Sequence, residues 1–256
     1  MPVAIITGAS SGIGEATARR LVREGICVTL AARRQDELER VAREIQANGG
    51  QMLIVPTDVR DRAAIQRMVQ ATLDQWGRVD VLVNNAGLGY SDRVVSLDSD
   101  QLREQVTVNL VAVIECAQAV LPAMMRQSSG HMINVASIAG LVGLPGSSVY
   151  SATKAAVIRF SESLRREVSR QGIHVTAFCP GFVATNFSPR LKQIAASGKR
   201  LPGIMPAEYV ADRIAWLIRH PRRRLIIPPG WGLLVAIAQT FPGLTDWVLS
   251  RYAGND

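Results

Sequence analysis

Strand, turn and helix signals meet in residues 3–14, which are Val3-Ala4-Ile5-Ile6-Thr7-Gly8-Ala9-Ser10-Ser11-Gly12-Ile13-Gly14. The continuously apolar start predicts a strand buried on both faces. The glycines permit a tight turn and a close approach of backbone to a ligand. Amides exposed at a helix N-terminus attract a pyrophosphate. The spacing Gly-x-x-x-Gly-x-Gly predicts a dinucleotide-binding turn, although an ordinary strand–helix turn has the same general form.

The same strand–helix alternation continues along the chain. It predicts an α/β fold, a doubly wound parallel sheet of about seven strands with helices on both faces. Strands are predicted at Val3–Thr7, Cys27–Ala31, Met52–Val55, Val79–Val83, His131–Val135, His174–Cys179 and Leu225–Ile227. Helices are predicted at Gly14–Arg23, Asp36–Asn48, Asp61–Trp76, Asp100–Gln127 (one or two helices), Val149–Arg170 and Pro206–Arg219. We predict one catalytic domain, residues 1–230, and an apolar extension, residues 231–256, packed on it or on a neighbouring subunit.

The amino-acid composition argues against several classes of protein, including nucleic-acid-binding, metal-binding and disulfide-rich proteins. Of 256 residues, 29 are Lys or Arg and 21 are Asp or Glu, which gives a net charge of +8. The basic residues are dispersed, so we expect no nucleic-acid partner. The scattered cysteines and histidines predict neither disulfides nor a metal site. No signal peptide and no apolar run of ~18–20 residues are evident, and we expect a cytoplasmic protein.

Two arginines follow the second predicted strand, in Ala31-Ala32-Arg33-Arg34. A carboxylate at this point holds the ribose hydroxyls of NAD. An arginine instead pairs with the 2′-phosphate of NADP. We therefore predict NADP(H) over NAD(H), with Arg33 as the phosphate contact. Both arginines are also compatible with a solvated helix start.

Tyr150 and Lys154 are four residues apart in a helical stretch, so both side chains lie on one helix face. A nearby ammonium favours the phenolate and lowers the pKa of a tyrosine. The pair is therefore a candidate proton donor at a reacting oxygen. By itself the spacing is also compatible with an exposed lysine and a half-buried tyrosine.

Taken together, these motifs resemble the short-chain dehydrogenase/reductases, in their single-domain branch, from Val3 to about Ile227. The resemblance implies a catalytic tetrad of Asn109, Ser137, Tyr150 and Lys154. It implies cofactor contacts by Gly8, Ser10, Ser11, Gly12, Ile13, Gly14, Arg33, Arg34, Asp58, Val59, Asn85, Ala86, Gly87, Tyr150, Lys154, Pro180, Gly181, Val183 and Thr185. Other readings stay open: Asn109 as a helix polar residue, Ser137 as a helix cap, and Ser151 or Thr153 as the catalytic hydroxyl.

The expected reaction is reduction of a ketone or aldehyde, with Tyr150 as the general acid. By resemblance, Lys154 also holds the nicotinamide ribose, and Asn109 holds a relay water. The alternatives are an NAD-dependent alcohol dehydrogenase and a non-catalytic redox sensor. Pocket walls are expected from Ile138–Ser148, Gly89–Val95 and Phe182–Met205, a possible lid.

The substrate is expected to be a small apolar or lipid-like molecule, because Leu141, Val142, Leu144, Phe182 and Phe187 would give the pocket apolar walls. A homodimer or homotetramer is expected by resemblance. The apolar extension is a second candidate for membrane contact, aided by Arg222-Arg223-Arg224, although packing on protein is favoured.

Overall fold

The structure is a computed structural model that describes residues 1–90, 93–187 and 203–253. Its strands are β1 (Val3–Thr7), β2 (Cys27–Ala32), β3 (Met52–Pro56), β4 (Val81–Asn84), β5 (Gly130–Val135), β6 (Ile173–Pro180), β7 (Phe182–Val183), β8 (Ile204–Met205) and β9 (Arg224–Ile227). Its α-helices are α1 (Gly12–Val22), α2 (Gln35–Ala47), α3 (Arg62–Trp76), α4 (Ser99–Val106), α5 (Ala112–Gln127), α6 (Ser148–Glu167), α7 (Ala207–Arg219), α8 (Trp231–Thr240) and α9 (Pro242–Ala253).

Seven strands form one parallel sheet in the order β3-β2-β1-β4-β5-β6-β9. The predicted fold class is confirmed. The chain order reverses between β1 and β4, and this reversal opens a crevice at the carboxyl ends of the strands. Ligands of open α/β sheets bind at such a point. β7 and β8 form a separate two-residue pair, in a segment for which no strand is predicted.

Helices cover both faces of the sheet, as continuously apolar strands require. One core cluster joins the sheet to α1, α2 and α7. A second joins it to α3, α5 and α6. Every residue of β1 and β2 is buried, so these strands fix the turn that follows them.

Most element bounds differ from the prediction by one to three residues. Asp61, predicted as the first residue of α3, is instead its N-cap, and its carboxylate accepts a 2.8 Å hydrogen bond from the Ala63 amide. Asp98 caps α4 in the same way. Aspartate is favoured at an N-cap because its side chain satisfies an otherwise unpaired amide.

The predicted helix region 100–127 is one helical run, interrupted by a π-helical turn at Thr107–Val111. Such turns are rare in proteins, but where they occur they are often at functional sites. The length and composition of this helical run would allow it to cross a membrane. From the sequence alone, no apolar run of that length is predicted. Half of its most apolar window is buried in the domain, so we describe it as a core helix.

The extension folds as α8 and α9, and the helix direction bends by 110° between them. It follows β9 at the carboxyl edge of the sheet. Arg222 and Arg223 precede β9 and therefore lie at the opposite, amino edge. Arg224 starts the strand and pairs with Glu162 at 2.5 Å. Arg222 and Arg223 are therefore separated from the start of the extension by the length of β9.

Candidate active site

A cleft of about 580 Å³ lies at the carboxyl ends of the strands, over the crevice between β1 and β4. All the predicted site residues line it except Gly14 and Asn109. The lining includes Gly8, Ser10, Ser11, Gly12, Ile13, Arg33, Arg34, Asp58, Val59, Asn85, Ala86, Gly87, Ser137, Tyr150, Lys154, Pro180, Gly181, Val183 and Thr185. The sheet thus gathers, on one edge, residues that are far apart in sequence.

The turn between β1 and α1 forms one end of the cleft. Gly14 lies behind it, where an added Cβ would stand 2.3 Å from the Gly8 carbonyl oxygen. Only glycine permits this close approach. Ser11 is the N-cap of α1 but makes no side-chain cap hydrogen bond. The first amides of α1 are therefore free of a side-chain cap, as an anion site at a helix N-terminus requires.

Thr7 holds this turn to the loop after β4, and sequence reasoning did not single it out. Its hydroxyl accepts hydrogen bonds from the Asn85 and Ala86 amides, both at 3.0 Å. The Asn85 side chain donates to the Thr7 carbonyl at 2.9 Å. The sequence feature that could have identified Thr7 is that it is the one polar residue in an otherwise apolar strand, at the end of that strand. Thr7 thereby positions two walls of the cleft relative to each other.

Ser137 and Tyr150 meet in the middle of the cleft. The Ser137 hydroxyl accepts a hydrogen bond from the Ala139 amide at 3.1 Å, and it is close enough to the phenol of Tyr150 to lower the pKa of that group. The 3₁₀ turn Ile138–Gly140 that follows packs directly on α6. A Cβ at Gly140 would stand 2.5 Å from the backbone carbon of Lys154. Gly140, another residue not singled out from sequence, therefore permits the approach of serine to tyrosine.

Lys154 is buried, and it lies one helical turn after Tyr150 on α6. Its ammonium is 5.7 Å from the centre of the phenol ring, and it donates a 2.9 Å hydrogen bond to the Val135 carbonyl. Burial lowers the pKa of Lys154 to about 8, because an interior site disfavours the charged form. The lysine therefore carries its charge at neutral pH and is close to losing it.

The pKa of Tyr150 corrects the prediction made from sequence. Burial raises this pKa above its ordinary value, and the neighbouring Ser137 hydroxyl opposes that rise. The physical reason is that desolvation penalises the phenolate. Tyr150 thus keeps its proton through neutral pH.

Asn109 lies in the π-helical turn and is completely buried. Its carboxamide oxygen accepts from the Leu88 amide at 2.9 Å, and its nitrogen donates to the Leu88 carbonyl at 2.8 Å. The same nitrogen donates to Thr153 at 3.3 Å. The side chain therefore bonds another loop, and not its own helix. Thr153 also donates to the Tyr150 carbonyl at 2.8 Å, which engages its hydroxyl away from the cleft.

Two further asparagines link the strands behind the site. Asn84 and Asn134 are opposite each other in the β4–β5 register, and the Asn84 amide donates to Asn134 at 2.9 Å. Asn134 then donates to Ser161 on α6 at 2.9 Å. These buried groups satisfy each other and join α6, which carries Tyr150, to the sheet. Asn134 and Ser161 had no visible signal in the sequence, since only pairing brings them together.

Arginines gather at the other end of the cleft, beyond the glycine turn. Arg34 donates 3.1 Å hydrogen bonds to the hydroxyls of Ser10 and Ser11. Arg33 is exposed, with 58% of its side chain accessible, and its guanidinium is 3.9 Å from Glu104. Arg34 thus contacts the turn, whereas Arg33 contacts α4.

The carboxylate of Asp58, near the arginines, is already paired with Arg60. Arg60 donates to both of its oxygens, at distances of 2.6–3.0 Å, and lowers the pKa of Asp58. Arg60 also donates to Glu104 at 2.8 Å, and the Tyr90 hydroxyl donates to Glu104 at 2.6 Å. Glu104 therefore organises Arg33, Arg60 and Tyr90, a role that the sequence did not indicate.

Comparison with known proteins agrees with this geometry. The family model for short chain dehydrogenases matches residues 2–195. The chain belongs to the short-chain dehydrogenase family. An uncharacterized oxidoreductase of Staphylococcus epidermidis is 33% identical over 86% of this chain and 91% of its own length. A 3-oxoacyl-[acyl-carrier-protein] reductase of Synechocystis is 38% identical over 74% of this chain and 77% of its own length.

Solved structures show the same fold. An actinorhodin polyketide ketoreductase with NADPH superimposes with a TM-score of 0.82 and 31% identity, over 90% of this chain and 97% of that chain. An alcohol dehydrogenase of Thermococcus sibiricus, complexed with 5-hydroxy-NADP, has a TM-score of 0.78 and 30% identity. It covers 89% of this chain and 96% of that chain.

In this short-chain dehydrogenase, apolar side chains border the end of the cleft that carries Ser137 and Tyr150. Leu144, Phe182 and Phe187 line the cleft, as predicted, whereas Leu141 and Val142 are not among its lining residues. The Phe187 ring centre is 5.7 Å from that of Tyr150. Part of the predicted lid, residues 188–202, and residues 91 and 92 of another predicted wall are outside the described residues.

Proposed function

We propose that this short-chain dehydrogenase uses NADP(H) to reduce an apolar ketone or aldehyde to an alcohol. The observation that carries the proposal is the Ser137–Tyr150–Lys154 arrangement at one end of a cleft whose other end carries Arg33 and Arg34. A serine hydroxyl, a protonated phenol and a buried ammonium are suited to receive a carbonyl oxygen on which negative charge develops. Two arginines suit a phosphate that NAD lacks.

The residues present fit a nicotinamide dinucleotide. The start of α1 has no side-chain cap, and Gly14 lets the turn close tightly against Gly8, so the first amides of α1 are available to a pyrophosphate. Gly87 packs closely on both Asn109 and Lys154, at 3.3 Å and 3.6 Å from an added Cβ, and it lines the cleft beside Lys154. A bound nicotinamide would supply the hydride.

The protein's own groups would manage the proton and the charge. Tyr150, held in its protonated form by burial, would donate a proton to the substrate oxygen. Ser137 would donate a hydrogen bond to the same oxygen and stabilise the charge developing there. Lys154, charged below a pH of about 8, would stabilise the phenolate that remains.

The neighbours support the reductive direction and the cofactor. The Synechocystis 3-oxoacyl-[acyl-carrier-protein] reductase and the polyketide ketoreductase both carry reductase names, and the second contains NADPH. A further neighbour is a levodione reductase, with a TM-score of 0.80 and 29% identity over 89% of this chain and 95% of that chain. The apolar cleft walls favour an apolar carbonyl substrate here. An NAD-dependent alcohol dehydrogenase is the alternative that the same catalytic groups would serve.

The test is a titration of NADPH and NADH into purified wild-type protein and into Arg33→Ala and Arg34→Ala variants. We expect wild type to bind NADPH at least about tenfold tighter than NADH, a difference of about 1.4 kcal/mol. Each substitution should reduce NADPH affinity severalfold and leave NADH affinity unchanged. Arg67→Ala, which removes an exposed arginine paired with Asp61 on α3, is the matched control.

Equal affinities for the two cofactors in wild type would reject the NADP(H) assignment and favour the NAD-dependent alternative. If NADPH binds tightly but no carbonyl in a broad panel is reduced, the protein is a cofactor sensor and not a reductase.

A further inference from the structure

The extension exposes an apolar surface that nothing in the described chain covers. Among the residues of the extension whose burial the structure describes, 231–251, Val235 is the one buried large apolar residue, at 8% exposure. The exposed large apolar side chains of α8, α9 and the junction between them are Leu233, Leu234, Ile237, Phe241, Leu244, Trp247 and Val248. Patches of this kind mark an interaction site.

We propose that this surface, the seven residues just named, docks on a lipid bilayer. In α8 the apolar character is not confined to one side of the helix, and a helix that is apolar all round belongs in a protein core or a membrane. From Trp231 to Arg251 the only charged residues are Asp246 and Arg251. Together α8 and α9 meet the length and composition of a membrane span.

The shape of the pair indicates shallow docking. The bend of 110° between α8 and α9 prevents a straight crossing, so the helices would lie within one face of the bilayer. The Arg251 guanidinium is 3.7 Å from the centre of the Trp247 ring. Tryptophan and arginine are residues that anchor proteins at the membrane–water boundary. The net charge of +8 favours anionic lipids at longer range.

The docking surface is attached to the wall of the cleft. The Trp231 ring meets Phe182 edge-to-face at 5.9 Å, and it covers Gly181, where an added Cβ would lie 3.3 Å from the ring. At the other end of α8, Gln239 donates to the Leu141 carbonyl at 3.0 Å. Docking would therefore place the catalytic end of the cleft beside the bilayer.

This placement gives a substrate class: carbonyl compounds dissolved in the membrane. That part rests on the proposed reductase function, whereas the docking itself does not. The two are separable because lipid binding is measured without turnover.

The first experiment is flotation of the full-length protein with vesicles of phosphatidylcholine alone and with added phosphatidylglycerol. We expect wild type to float with both and more strongly with the anionic mixture. Leu244→Gln combined with Trp247→Gln should weaken binding by at least about tenfold, since each lost burial of a large apolar side chain exceeds the free energy of a tenfold change. Leu102→Gln with Met125→Gln, two exposed apolar residues on α4 and α5, is the matched control and should float like wild type.

Analytical ultracentrifugation without lipid measures the oligomeric state and so tests the competing explanation, that the surface is a contact between two copies of the chain. If wild type does not float, and the Leu244→Gln/Trp247→Gln variant alone dissociates an oligomer, the surface is a contact between two copies and the proposal is wrong. Absence of both flotation and such an oligomer would also overturn it.

Turnover then tests the substrate class. A long-chain methyl ketone in vesicles should be reduced by wild type and at least about tenfold more slowly by the Leu244→Gln/Trp247→Gln variant, in proportion to its lost binding. A short water-soluble ketone should be reduced equally by both. Flotation without reduction of either ketone would reject the reductase function and leave the docking intact. Equal rates of both proteins on the vesicle ketone would reject the membrane-dissolved substrate.

Discussion

The two ends of the cleft are built in opposite ways. At the end that carries Tyr150, Lys154 and Asn109 are buried, and short hydrogen bonds to backbone fix both of them. At the arginine end, Arg33 and Arg60 are exposed and are held by ion pairs with Glu104. A buried polar group that loses its partner is costly, whereas an exposed ion pair contributes little. Substitutions should therefore have large effects at the first end and small, graded effects at the second.

The largest effect is expected for Tyr150→Phe, which removes only the hydroxyl. We expect the reduction rate to fall by roughly 10²–10⁴-fold, the usual contribution of a general acid. NADPH affinity should be nearly unchanged, which separates a chemical role from a binding role. Steady-state kinetics and cofactor titration measure the two.

Tyr209→Phe on α7 is the control and should be fully active. A Tyr150→Phe variant with wild-type rates would assign the proton to another group and weaken the contrast between the two ends.

Lys154→Met should stabilise the protein while it reduces activity. Burial has lowered the lysine pKa to about 8, and each pKa unit below the ordinary value near 10.4 corresponds to about 1.4 kcal/mol. At pH 7 the variant should therefore gain up to roughly 3 kcal/mol in the free energy of unfolding, less the lost hydrogen bond. Denaturant unfolding without cofactor measures it.

The sign of the pH dependence follows from the lowered pKa. Between pH of about 8 and about 10.4 the unfolded wild type binds more protons than the folded one, so wild-type stability rises over that range. The gain of Lys154→Met over wild type should shrink accordingly. A gap that stays constant across this range would mean that the lysine pKa is not lowered by burial.

The smallest effect is expected at the arginine end, for Glu104→Gln. Loss of this carboxylate frees Arg33 and removes a negative charge near the expected 2′-phosphate. NADPH affinity should rise by up to about fivefold, because exposed ion pairs are worth about 0–1 kcal/mol. NADH affinity should not change. Calorimetric titration of both cofactors is the measurement.

Asp100→Asn removes another exposed carboxylate from α4, one that pairs with Arg103, and should leave both affinities unchanged. Weaker NADPH binding by Glu104→Gln would show that Glu104 positions Arg33 productively and does not compete for it.

Much of the fold was predictable because its signals are local. Continuous apolar runs mark strands covered on both faces, and Gly8, Gly12 and Gly14 mark the turn that follows the first of them. These features depend on a few neighbouring residues, so the predicted elements agree with the structure to within a few positions. The clustering of the predicted site residues in one cleft likewise follows from parallel strands, whose carboxyl ends share an edge.

Contacts between distant segments were not predictable from the sequence. Thr7 bonding the loop after β4, Gly140 meeting α6, and Glu104 joining Arg33 to Arg60 each depend on strand order and helix packing. The pKa of Tyr150 belongs here too: the spacing to Lys154 predicted a lowered value, but burial raises it. Desolvation depends on the whole surroundings of a group, and four residues of helix do not contain that information.

The sequence by itself determined the strand–helix alternation, the glycine turn and the chemical types available for catalysis, since these rest on local periodicity and residue chemistry. Only the tertiary structure decided which side chains meet, which of them are desolvated, and that the apolar extension is exposed beside the cleft and separated from Arg222 and Arg223. The physical reason is that burial, charge stabilisation and exposure are properties of the packed chain, set by contacts between residues remote in sequence.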